Sequence, residues 1–344
     1  MEPPNRRKIS FASISFALGV WAFIKVNAVS GPVFEPIIAS CSNPDISADE
    51  FASKTGYHEY EPKVGLGVFN ILVCLITQFL LELRETHPAG VLVWGGVLMV
   101  SLPAALFAIF QPGRAGARGP IRYPTIIGLL YQLFGISIIF PLLWVPSYIW
   151  GGGKQGTPLT MYRINMAVPM CVPGVILTCI IFTAPTDSYL WTISAGTLGG
   201  PLLILPNLLM WTDGSSSLHP TAKNMKRSID GVKNVCNITA CVCFLGWAYL
   251  VKVAYEAYGT DLGAIWNDIW VDAGGSVAFM TVDTGVLHLA LLLVIAYHSE
   301  VKAIKALVLT PLIGPAAVCL AFKEIEIDAV ADYLKEIEGE KKKV

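Results

Sequence analysis

Nine stretches of this chain are each about as long and as apolar as a bilayer core demands, roughly 20 residues at the rise of an α-helix. They cover residues 9–30, 64–83, 90–110, 125–150, 164–184, 188–211, 233–256, 278–297 and 303–322. In hydrocarbon every backbone N–H and C=O must find its partner within the protein, and the helix is the regular solution that a single segment has. Charged residues are 14% of the 344, against roughly 25% in a soluble domain, so a water-soluble fold would lack its polar coat. The expectation is an all-α, polytopic transmembrane helix bundle of eight or nine spans. It forms one domain over residues 1–322, followed by a charged C-terminal tail at 323–344. Neither an internal repeat nor a soluble domain interrupts it.

Lysine and arginine give the orientation, because cytosolic loops are enriched in them. A cytosolic N-terminus carries Arg6, Arg7 and Lys8, and nine alternating spans add Arg84, Lys154, Arg163, Lys223, Lys226, Arg227, Lys302 and Lys305 to that side. Loops 31–63 and 257–277 then face outward and are acidic, while Arg114, Arg118 and Arg122 break the pattern. The end, Lys341-Lys342-Lys343-Val344, resembles the dilysine retrieval signal of endoplasmic-reticulum membrane proteins, which is read from the cytosol. Nine spans place it in the lumen, so eight spans in the reticulum membrane is the preferred reading and a merely solvated end the alternative. Six cysteines lie in apolar runs and only Cys41 clearly in a loop, so no disulfide framework is expected.

Against this background the polar groups within the spans are the informative ones. Asp283 lies within Ala278–Tyr297, where a carboxylate costs about 2.5–3.5 kcal/mol to insert and usually faces a bundle interior. Asp268 and Asp272 precede it at spacings that share a face if the helix is continuous, although Gly274-Gly275 offers a break. His288 lies partly off the Asp283 face, and a lone membrane histidine also serves simply as a hydrogen-bonded bridge. Asn70 and Gln78 form a stripe in the second span, with Glu82 close enough to its end to snorkel. Tyr131 and Gln132 mark the fourth span, and Asn207, Trp211 and Asp213 the sixth. Glu35, just past the first span, is either a loop acid or a group folded back over a cavity mouth.

The net charge is −1, which offers no basic surface for nucleic acid. Sequence motifs for metal-diphosphate ionisation, dinucleotide binding, zinc proteolysis and the phosphate-cradling loop do not occur. No metal and no cofactor is expected, and the partners are the lipid bilayer and a lipophilic small molecule.

Three stretches carry a resemblance: Val64–Phe79; Ile127-Gly-Leu-Leu-Tyr-Gln-Leu-Phe-Gly135 with Phe140-Pro-Leu-Leu143; and Phe279-Met-Thr-Val-Asp283. Together they resemble integral-membrane terpene cyclases encoded in fungal secondary-metabolite clusters, including the ascochlorin- and ascofuranone-pathway cyclases and the membrane proteins of indole-diterpene clusters. The resemblance implies metal-free, protonation-initiated cyclisation of an epoxidised prenyl chain on a meroterpenoid or terpenoid intermediate. Such chemistry needs a carboxylic acid that keeps its proton in an apolar site, aromatic walls for a cation and a final proton acceptor. Asp283 is the implied acid or its partner, with Asp272 and Glu35 as alternates. Asn70, Tyr131 and Gln132 would orient the epoxide oxygen, and Asn207, Trp211 and His288 complete a substrate-binding set. The competing expectation is a transporter or receptor for a lipophilic metabolite that uses Asp283 as its proton or ligand site.

Overall fold

A computed structural model describes residues 4–43, 45–56, 68–167, 169, 172–186, 188, 190–191, 194, 218–219 and 221–341. In chain order its helices are α1 (Pro4–Cys41), α2 (Ala48–Thr55), α3 (Val68–Glu85), α4 (Ala89–Phe110), α5 (Pro124–Phe134) and α6 (Ile136–Gly151). There follow α7 (Met161–Met166), α8 (Val172–Thr183), α9 (Ala222–Tyr258), α10 (Leu262–Asn267), α11 (Gly275–His298), α12 (Glu300–Ile313) and α13 (Ala316–Lys341). No strand occurs among the described residues. Among the described residues, four helical stretches are long and apolar enough to cross a membrane: Asn5–Gly31, Ala89–Gly113, Ala222–Tyr258 and Gly275–His298.

The relation between α1 and α11 sets the frame. Arg7 donates to the Ala296 carbonyl at 3.2 Å, and the rings of Phe34 and Phe279 lie 6.3 Å apart at the far end of the same interface. The two helices are therefore antiparallel. They define a termini end, around Arg7 and His298, and an opposite end where α1 projects beyond the core. At 38 residues, α1 is about 57 Å long and carries the predicted first span straight on to Cys41.

Cys41 is bonded there to Cys74 of α3, which corrects the expectation of no disulfide. Cys41 closes a helix rather than sitting in a loop, and the fold brings an apolar-run cysteine to it across 33 residues. Eight residues after Cys74, Glu82 is bound by Ser276 in the first turn of α11. Both halves of α3 thus sit at the disulfide end, and the stretch predicted as the second span does not cross. Arg84 stays at this end as well, donating to the Ile181 and Ala184 carbonyls at 3.2 and 2.5 Å, instead of at the end of the N-terminus, with which the charge count groups it.

Two more predicted spans are re-entrant hairpins. Helices α5 and α6 enter from the termini end, turn at Gly135 and return. The Arg118 N–H donates to the Gly151 carbonyl at 2.8 Å across the mouth, and the Tyr131 and Phe140 rings face each other at 6.3 Å nearer the tip. Helices α12 and α13 repeat the device with their turn at Gly314: Lys305 bridges to Glu324 at 3.1 Å and Lys302 to Asp328 near the mouth. The apolar lengths at 125–150 and 303–322 are each spent on going in and coming out. The predicted tail boundary at 322/323 falls inside α13, whose Glu326 is buried in an ion pair with Arg114.

With these segments folded back, Arg114, Arg118 and Arg122 fall at the termini end with Arg7, Lys154, Arg163 and Lys302. The break in the charge pattern comes from counting 64–83 as a crossing; folding 125–150 back then keeps Lys154 and Arg163 on that same side. The alternative of a break at Gly274-Gly275 is the one observed, so Asp268, Asp272 and Asp283 do not share a continuous helix face. A π-helical turn at Asp268–Asp272 ends in extended backbone at Ala273, and α11 starts afresh at Gly275.

Candidate functional site

The tip of the first hairpin meets α11 at Asp283. This carboxyl is 3% exposed, and its Oδ1 accepts the Ser137 backbone N–H at 3.1 Å. Ser137 lies in the first turn of α6, where N–H groups have no partner within their own helix and the dipole favours a negative group. The apolar length of Ile136–Gly151 builds the helix, and Gly135 makes its start possible. Gly135 has φ +89°, and a Cβ there would lie 3.4 Å from the Phe279 ring and 3.6 Å from Asp283 Oδ1. A Cβ would fit at contact distance, so it is the positive φ that reserves this turn for glycine.

One turn before Asp283, Phe279 packs with Phe79 of α3 at 5.6 Å and with Phe34 of α1 at 6.3 Å, while Phe34 and Phe79 are 6.0 Å apart. These three rings join α1, α3 and α11. Beyond them lies a second buried carboxyl, Glu82, 8% exposed, whose Oε2 accepts from the Ser276 hydroxyl at 2.5 Å. A Cβ on Gly274 would fall 1.3 Å from Glu82 Oε1, so the missing side chain is what admits the carboxyl to the N-terminus of α11. Ser276 and Asp283 are seven residues apart, two turns or about 10.5 Å along one helix face. The site is therefore two buried carboxyls, each at a helix start, with an aromatic trio packed between their helices. The fully buried Gln78 lies one turn before Glu82.

Of the residues expected at the site, Asp283 alone is placed in this cluster with its side chain described. Asp272 is exposed on the π turn, and Glu35 is exposed on the continuation of α1; neither reaches Asp283. The neighbour of Glu35, Phe34, is the one that does contribute. Tyr131 sits one turn before Gly135, and its buried hydroxyl has no hydrogen-bond partner among the described residues. His288 turns toward α12, its Nε2 3.0 Å from the Thr310 hydroxyl, so it fastens the second hairpin. Asn70 and Gln132 lie on α3 and α5 with side chains outside the description, and Asn207, Trp211 and Asp213 lie outside the described residues. Glu82, Ser137, Gly135 and the phenylalanine trio are what the sequence reading missed. The four-residue spacing of Gln78 and Glu82 was the available signal for the first of these.

No group of three or more His, Cys, Asp or Glu side chains placed to hold a metal occurs among the described residues. The fold defines a helical membrane protein with a polar site inside its apolar bundle. Comparison with known proteins adds no relative: no family model, no curated protein and no solved structure matches this chain.

Proposed function

We propose that this protein is a membrane-bound cyclase that isomerises an epoxidised prenyl chain on a lipophilic intermediate by acid catalysis. The observation that carries this reading is the burial of Asp283 against the tip of the hairpin, beside Phe279, Phe79 and Phe34. The Asp283 carboxyl gives its proton to the epoxide oxygen as the carbon–oxygen bond breaks. A double bond of the same chain attacks the cationic carbon and closes a ring, and the migrating charge is sheltered by the faces of the phenylalanine trio. Glu82, as a carboxylate, takes the terminal proton and leaves an alkene. One proton is given and one recovered, so the product is an isomer of the substrate. No metal or redox cofactor is needed.

The reading extends to topology and location. Oxidising compartments sustain disulfides, and basic residues gather on the cytosolic side. The Cys41–Cys74 end is then lumenal and the termini end cytosolic, with an even number of crossings, in the endoplasmic-reticulum membrane. The preferred count of eight spans becomes a smaller even number once the re-entrant pairs are removed.

Transport of a lipophilic metabolite is the second reading. It is favoured by one feature, a helix broken at Gly135 whose restart meets an acidic side chain deep in the bundle. Microsomes bearing the protein, given epoxidised prenylated aromatic compounds, discriminate between the two. Formation of cyclised products of unchanged mass supports the cyclase. Saturable, proton-dependent uptake without isomerisation supports transport and sinks the cyclase.

A further inference from the structure

At the termini end, where the mouths of the two hairpins meet, lies a second, largely buried polar cluster. Arg114, 4% exposed, donates to the Glu326 carboxylate and to the Thr157 carbonyl. The Tyr148 hydroxyl is hydrogen-bonded to Nε2 of His298 and accepts from the Gln155 amide at 2.6 Å. Arg163 closes the rear by donating to the Ile109 carbonyl at 3.0 Å. Gln111 stands one tight turn before Arg114 and is fully buried, at 0% exposure. Neither its Oε1 nor its Nε2 has a partner among the described residues, and the same is true of Arg114 Nε, Gln155 Oε1 and Glu326 Oε1.

Five such atoms left unmet in a buried site are costly on the scale of a protein's net stability. Two of them are donors, Gln111 Nε2 and Arg114 Nε, and three are acceptors, Gln111 Oε1, Gln155 Oε1 and Glu326 Oε1. A cation would leave both donors unmet and an anion all three acceptors, whereas water offers both functions. We propose that this cluster is a water-binding pocket, in which at least two ordered waters bridge the Gln111 amide, Arg114 Nε and the Gln155 carbonyl oxygen. Gln155 follows α6, Gln111 follows α4, and Glu326 belongs to α13. The waters, with the Arg114–Glu326 pair, therefore latch the roots of both hairpins to a membrane-crossing helix. This pocket is independent of the reaction proposed at Asp283.

Radiolytic hydroxyl labelling of the full-length protein in lipid nanodiscs tests the pocket, because bound water generates the radical in place. Tyr148, 4% exposed, is expected to label at least tenfold faster than the fully buried Phe51 after correction for intrinsic reactivity and exposure. Equal rates overturn the proposal. The Gln111→Met variant is read by thermal unfolding. A hydrated pocket predicts a Tm lower by at least about 2 °C. A dry pocket predicts an unchanged or higher Tm, since a volume-conserving swap would remove two unmet groups. Gln155→Met is read in the same way if the first variant does not accumulate.

Discussion

Asp283 and Ser137 are separated by 146 positions in the chain, yet a carboxylate oxygen of one accepts the backbone N–H of the other at 3.1 Å. This bond ties the tip of a re-entrant hairpin to the middle of a crossing helix. It also places a titratable group where the bundle is otherwise apolar.

The hairpin tip depends on Gly135. At φ +89°, a β-branched residue costs on the order of 1–3 kcal/mol in backbone strain, and its side chain would press on Phe279 and Asp283. Gly135→Val is expected to lower the thermal midpoint and to reduce turnover of a cyclisable substrate at least tenfold. Gly116→Val, at an exposed glycine with open space around its Cβ position, is a control expected to lose stability but keep activity per folded molecule.

Glu82 reaches its place because Gly274 has no side chain. Gly274→Ala puts a methyl carbon where Glu82 Oε1 now lies, so α3 must shift or the Ser276 bond must break. Circular dichroism melting is expected to show a loss of about 1–3 kcal/mol. Ser276→Ala, which removes only the donor, is expected to cost the smaller part of that range.

The disulfide holds α3 on α1 in the register that also brings Phe34 to Phe79. Cys74→Ala is expected to cost about 2–4 kcal/mol and to loosen that contact. A membrane-impermeant maleimide applied to sealed microsomes checks the orientation. Arg118→Cys is expected to label from the outside, and Thr260→Cys only after the membrane is opened. The reverse pattern would invert the molecule in the membrane.

Burial pushes the Glu326 carboxyl above its ordinary value of 4.5, against the opposing pull of the Arg114 guanidinium. A carboxyl with a raised native pKa binds protons more tightly when folded. Its contribution is therefore most favourable below the unfolded value and is lost as pH rises through the folded one. Arg114→Met removes the compensating charge. It is expected to cost about 3–5 kcal/mol at neutral pH, with part of that loss recovered as the pH is lowered toward 5, as equilibrium unfolding across pH would record.

The helical membrane class and the burial of Asp283 were legible in the chain; topology was not. Apolar lengths near 20 residues announced membrane helices, and Asp283 stood out because ionisable groups are expensive there. The same lengths at 125–150 and 303–322 fold into hairpins, because twenty apolar residues satisfy hydrocarbon equally well crossing once or entering and returning. The distinction rests on single turns at Gly135 and Gly314, which hydrophobicity does not register. Glu82 read as a snorkelling acid because its protection comes from Gly274 and Ser276, nearly two hundred residues away. Cys74 read as an apolar filler because its partner is chosen by the packing of α1 on α3. Asp272 and Glu35 drew notice as acids near spans, but chain proximity to a membrane helix does not place a side chain inside the bundle.

In the proposed reaction Asp283 supplies the proton. Microsomes carrying wild-type protein or Asp283→Asn, matched for folded protein and supplied with an epoxidised prenylated aromatic substrate, test it most directly by the yield of cyclised isomer. The amide is nearly isosteric, preserves an oxygen for the Ser137 N–H and cannot donate an acidic proton. At least a thousandfold loss of product is expected, with the protein still accumulating. Undiminished cyclisation by Asp283→Asn would contradict it.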